Sequence, residues 1–177
     1  MSHRNFALGA AGVTALLILL PPDASWGDRA MMDDPQGFAD EILAAHNRVR
    51  GDLRVPATPL RWSSSLAREA HSVAAECRFR HSHGPHGENL YARAQPTRPR
   101  RVVKAWAGEA SDFSLASNRC ADDEICGHYT QMIWGDSRAV GCAVHQCSTG
   151  SPFDGWTEWT LWVCEYDPPG NIRGQRP

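Results

Sequence analysis

No two cysteines of this chain have the C-x-x-C spacing, which removes the usual signature of a zinc ribbon or a thiol-redox centre. There is also no G-x-S-x-G and no H-E-x-x-H, so neither a serine nucleophile elbow nor a zinc-protease helix is marked. Charge of one sign is lacking too. The 177 residues carry a net charge of −2, which excludes the basic footprint of a nucleic-acid binder. The local exception, Arg98, Arg100, Arg101 and Lys104, reads as a solvated helix face. No internal repeat and no sign of a second domain appear, and the length suits one well-buried domain.

Long apolar runs are absent as well. The longest, Phe6 through Leu20, is too short to cross a bilayer and breaks at Pro21-Pro22. With His3 and Arg4 before it and small residues after it, it reads as the apolar region of a secretory signal. Residues 1–27 are therefore expected to be a signal peptide and 28–37 an N-terminal extension, with the folded domain at 38–177. No transmembrane segment is expected after cleavage. The mature protein should be a monomer in the extracellular space, or in the periplasm of a Gram-negative cell. Six cysteines agree with export: Cys77, Cys120, Cys126, Cys142, Cys147 and Cys164. An even count in a small exported domain predicts three disulfides, with the pairing left open by spacing alone.

Four segments carry a helical period. The first runs from about Asp34 to Leu53, with Phe38, Ile42, Ala45 and Val49 on one stripe. The second leaves a serine cap at 63–65 and ends near Cys77. The third runs from Pro99 to Phe113, and a short fourth from His128 to about Trp134. Ala139–Cys147 and Trp156–Tyr166 read as an antiparallel strand pair joined by the loop Ser148–Gly155, with Leu90–Ala92 a shorter third strand. Helices first and strands mostly later predict an α+β fold layered around one sheet.

The stretch HSHGPHGEN (81–89) gathers three histidines and a carboxylate. On the third helix Val102, Trp106, Glu109 and Phe113 step by four, three and four, which puts Glu109 on the buried stripe. A carboxylate there is costly unless a cation or several hydrogen bonds meet it. Glu109 is thus either a site residue or a cap on loop amides. Glu88, in Gly87-Glu88-Asn89, reads locally as a turn carboxylate. Glu124 lies among acids between two close cysteines and reads as solvated. His46 reads as a satisfied core histidine and His71 as helix surface.

GHYTQMIWGDS (127–137) and LWVCEYDPPGNI (161–172) resemble the two signatures of the CAP superfamily, which comprises cysteine-rich secretory proteins, antigen 5 and plant pathogenesis-related class 1 proteins. AHNRVR (45–50) and HSHGPHGENL (81–90) resemble its N-terminal motifs, and the plant group is the nearest pattern. The resemblance spans Phe38 to Pro177. It implies a three-layer α-β-α sandwich with a central antiparallel sheet and the disulfides Cys77–Cys147, Cys120–Cys126 and Cys142–Cys164. It also implies a cleft lined by His81, Glu88, Glu109 and His128, in which His81 and His128 hold zinc or another divalent cation. No residue is marked as catalytic. The function implied is non-enzymatic binding of a sterol, a lipid or another extracellular partner. A metal-dependent hydrolase and a structural cell-surface module are the alternatives. The chain departs from the plant pattern in its extra histidines, His83 and His86, and in a longer Cys147–Cys164 connection bearing Trp156 and Trp159.

Overall fold

A computed structural model describes residues 34–54 and 57–177. The expected signal peptide and most of the expected extension lie outside the described residues. The first helix, α1 (Pro35–Gly51), starts before the expected domain boundary at Phe38. Its first turn explains why: the Asp34 carboxylate accepts from Gly37 N at 2.8 Å, and Pro35 suits a position whose N–H has no helical partner. Then follow β1 (Arg61–Trp62), α2 (Ser64–Ala74), β2 (Gly87–Arg93), α3 (Pro99–Gly108), a 3-10 turn (Glu109–Ser111), β3 (Phe113–Ser114), β4 (Arg119–Cys120), α4 (Gly127–Ile133), β5 (Ala139–Cys147) and β6 (Trp159–Asp167).

The main sheet has the order β1-β5-β6-β2. Its three long strands are antiparallel, as expected, whereas β1 joins β5 in parallel and makes the sheet mixed. A two-residue strand is too short to show a period, so nothing in its sequence announced it. β6 is buried on both faces, and its alternation divides the core in two. Trp162, Cys164 and Tyr166 face Ile42 of α1, Val102 and Trp106 of α3 and Met132 of α4. Leu161 and Val163 face Ala70 and Ala74 of α2. These are the three layers of the sandwich. The α2 layer approaches so closely that a Cβ on Gly141 would lie 2.2 Å from Ala67 N, so only glycine fits opposite the start of that helix.

All six cysteines are paired as the resemblance implies: Cys77–Cys147, Cys120–Cys126 and Cys142–Cys164. The third helix is shorter than its stripe suggested. It stops at Gly108, where Ser111 Oγ donates to the Gly108 carbonyl and Asp112 N to that of Glu109. Phe113 enters the small β3–β4 hairpin and packs edge-on against Tyr129, with ring centroids 6.2 Å apart.

Candidate functional site

Helix α4 has no capping side chain of its own. Its first amides are met from another element: Glu109 Oε2 accepts from His128 N and from Tyr129 N, both at 3.0 Å. The other oxygen, Oε1, accepts from His128 Nδ1 at 2.5 Å. The imidazole stacks on Trp106 with planes 13° apart and centroids 6.0 Å apart. Both readings of Glu109 therefore hold, because one carboxylate caps the helix and orients the histidine that the helix presents.

The second pair forms at the start of β2. Glu88 Oε1 accepts from His81 Nδ1 at 2.7 Å and from Ser82 N at 3.0 Å. The side chain of Glu88 is 6 % exposed and that of His81 is 55 % exposed, so a buried acid holds a histidine that faces solvent. Gly87 is needed just before it, since a Cβ there would meet Gln131 Oε1 at 2.1 Å. The backbone register sets Glu88 opposite Glu165 of β6, which the sequence reading did not single out. Burial, followed by the charge of Glu88, pushes the Glu165 carboxyl up to about 8.

Buried polar contacts fix where α4 sits. His46 Nδ1 donates to the Ile42 carbonyl at 2.9 Å, so its Nε2 accepts from Tyr166 OH at 2.8 Å. That hydroxyl in turn accepts from Asn89 Nδ2, which also donates to the His128 carbonyl. His46 is thus a satisfied core histidine, and burial lowers its pKa to about 4. The two signature segments lock together as well. Gln131 Oε1 accepts from Gly170 N, Asn171 Nδ2 donates to the Gly127 carbonyl, and Thr130 Oγ1 donates to Asn171 Oδ1. Arg50, fully buried, donates to the carbonyls of Thr58, Met132, Trp134 and Ser137.

The expected tetrad therefore appears as two His–Glu pairs, His81–Glu88 and His128–Glu109. In each, a carboxylate takes the Nδ1 hydrogen and leaves Nε2 as the atom able to bind a cation, which is the arrangement of carboxylate–histidine–metal sites. Among the described residues, no group of three or more His, Cys, Asp or Glu side chains is arranged to hold a metal ion. His83 is exposed, whereas His86 lies between Glu69 at 3.2 Å and Asp167 at 3.6 Å. Glu124 is exposed and precedes α4.

A hollow lies elsewhere, between α1 and α3. It measures about 560 Å³, with Ala45, Val49, Val103 and Ala107 as its apolar wall. Arg48, Arg100, Arg101 and Lys104 stand around it with one acid, Glu41, which pairs with Arg100 at 3.8 Å. The basic run of α3 is exposed, as a solvated face should be, and it also borders this groove.

Known proteins match this architecture. A model of the cysteine-rich secretory protein family, CAP, matches residues 43–166. Pathogenesis-related protein 1A of Nicotiana tabacum is 38% identical over 80% of this chain and 82% of its own length. Pathogenesis-related protein PR-1 of Medicago truncatula is 36% identical over 100% of this chain and 99% of its own. Among solved structures, NaASP2 with Zn2+ aligns at a TM-score of 0.62 with 22% identity, over 80% of this chain and 84% of that one. MpPR-1i aligns at 0.59 with 22% identity, over 79% and 93%. At those identities the structural likeness speaks for the fold alone.

Proposed function

This chain belongs to the cysteine-rich secretory protein family, CAP, and from that premise we propose that it is an exported, non-enzymatic binder of an anionic lipid or similar amphiphile. The observation that carries the reading is the groove between α1 and α3. Its volume falls within the roughly 300–1,000 Å³ typical of small-ligand sites. Its apolar wall suits an acyl chain, and its cationic border suits a carboxylate or phosphate head. A fluorescent fatty-acid analogue is expected to bind the purified protein. Ala45→Trp, which fills the groove, should weaken binding at least about tenfold, a loss of about 1.4 kcal/mol. His81→Ala should leave it unchanged. Equal binding by wild type and Ala45→Trp would reject the groove as the site.

Holding a divalent cation is a second property, and what favours it is that His81 and His128 each have Nδ1 held by a carboxylate, which leaves Nε2 as the ligating atom. Zinc or a similar ion would sit on His81 and His128, with Glu88 and Glu109 orienting the rings and water completing the coordination. Calorimetry with zinc should show a clear loss of affinity for His81→Ala and for His128→Ala, and little for His83→Ala. A larger loss at His83 would exclude the assignment. Hydrolysis is not expected, because both carboxylates are committed to backbone amides and imidazoles.

A further inference from the structure

Glu165 has no role in the four-residue cleft, yet its position is unusual. It is 4 % exposed and is the direct cross-strand partner of Glu88 in the β2–β6 ladder, so the two carboxylates lie side by side on one face of the sheet. Two carboxylates buried side by side are tolerated when one of them keeps a proton and can donate to the other. The strand opposite on the other side, β5, offers only Gly141 at this register. Helix α2 contributes another acid, Glu69, which is paired with His86. Along β6 itself the titratable neighbours are Tyr166, whose hydroxyl is engaged with His46 and Asn89, and Asp167, which lies against His86. Among the described residues no salt bridge is made by Glu165.

The location of the proton follows from the partners. Glu88 already accepts from His81 Nδ1 and Ser82 N, so its oxygens are in use as acceptors. Among the described residues no such donor reaches Glu165, and it is the more buried of the two.

We propose that Glu165 is a positioning residue of the His81 arm: as a protonated acid it donates to Glu88 and holds that carboxylate where it fixes the ring and tautomer of His81. The chain of contacts runs from Glu165 through Glu88 to His81 Nδ1, so His81 Nε2 is presented as a lone pair toward solvent. Loss of the Glu165 proton puts two buried anions side by side. Glu88 then moves away and releases the ring. The consequence for cation binding rests on His81 being a ligand, as proposed above, but the positioning does not.

The test uses metal-free, 15N-labelled protein, so it is independent of whether any cation binds. Long-range proton–nitrogen spectra report the tautomer of each histidine. At about pH 7, wild type and Glu165→Gln, which keeps a donor toward Glu88, should both show His81 with its hydrogen on Nδ1. Glu165→Ala should lose that single-tautomer signature while His128 keeps its own. At about pH 9.5, above the Glu165 titration, wild type should lose the signature and Glu165→Gln should retain it. If Glu165→Ala does not fold, the two pH series of wild type and Glu165→Gln decide alone. A His81 signature that is the same in wild type and Glu165→Gln at both pH values would overturn the proposal, as would its loss in Glu165→Gln at neutral pH.

Discussion

Arg50→Met is expected to lower the free energy of unfolding by about 4 kcal/mol, as for other buried charged hydrogen-bond centres that lose one partner. The guanidinium makes five hydrogen bonds to four carbonyls, and three of these, on Met132, Trp134 and Ser137, lie at the end of α4 and just past it. Methionine fills the volume but removes all five donors, leaving the Trp134 carbonyl only Ser137 N and the Ser137 carbonyl only a long contact from Arg138 Nη1. Burial lowers the Arg50 pKa only to about 10, so the donor set is intact at neutral pH. Lysine cannot reproduce the planar fork and should recover only part of the loss. Urea titration followed by tryptophan fluorescence measures the change. A loss under about 1 kcal/mol would show that Arg50 does not anchor α4.

The second large effect concerns pH. The folded-state pKa of Glu165, about 8, lies above its ordinary value of 4.5. Its contribution to stability is therefore fully present below about 4.5, declines as the pH rises and is lost once the pH passes about 8. Glutamine keeps the hydrogen bond and titrates nowhere in this window. Glu165→Gln should match wild type near pH 4.5 and exceed it by about 3 kcal/mol at pH 7. His46 acts in the opposite sense: its lowered pKa gives stability that is present above its ordinary 6.5 and lost as the pH falls toward about 4. That term is common to both proteins and cancels in the difference. Unfolding midpoints of the two proteins that stay parallel from pH 4.5 to 9 would contradict a shared proton at Glu165.

Glu109 and the two imidazoles were legible in the sequence because each is the exception in a readable pattern: an acid on an apolar stripe, and histidines in recognisable motifs. Arg50 was not singled out. Phe38, Ile42, His46 and Arg50 step by four and all four are buried. The apolar stripe Phe38, Ile42, Ala45 and Val49 does face the core, but an apolar pattern does not mark an arginine beside it. Glu165 was hidden for a different reason. β6 buries both faces, so alternation marks no residue as misplaced there, and only the register with Glu88 reveals the acid pair. The strands β1, β3 and β4 are two residues each and carry no period to detect. The groove could not be read at all. Arg48 lies on α1 while Arg100, Arg101 and Lys104 lie on α3, and only the packing of the two helices makes one border of them.

Native mass spectrometry of protein purified without detergent, after incubation with a long-chain fatty acid, tests the binding role most directly. The groove predicts one ligand-sized mass increment on the intact, disulfide-bonded wild type and none on Ala45→Trp, with the fatty acid recovered chemically unchanged. The same increment on Ala45→Trp, or none on wild type under conditions that keep non-covalent complexes, would contradict it.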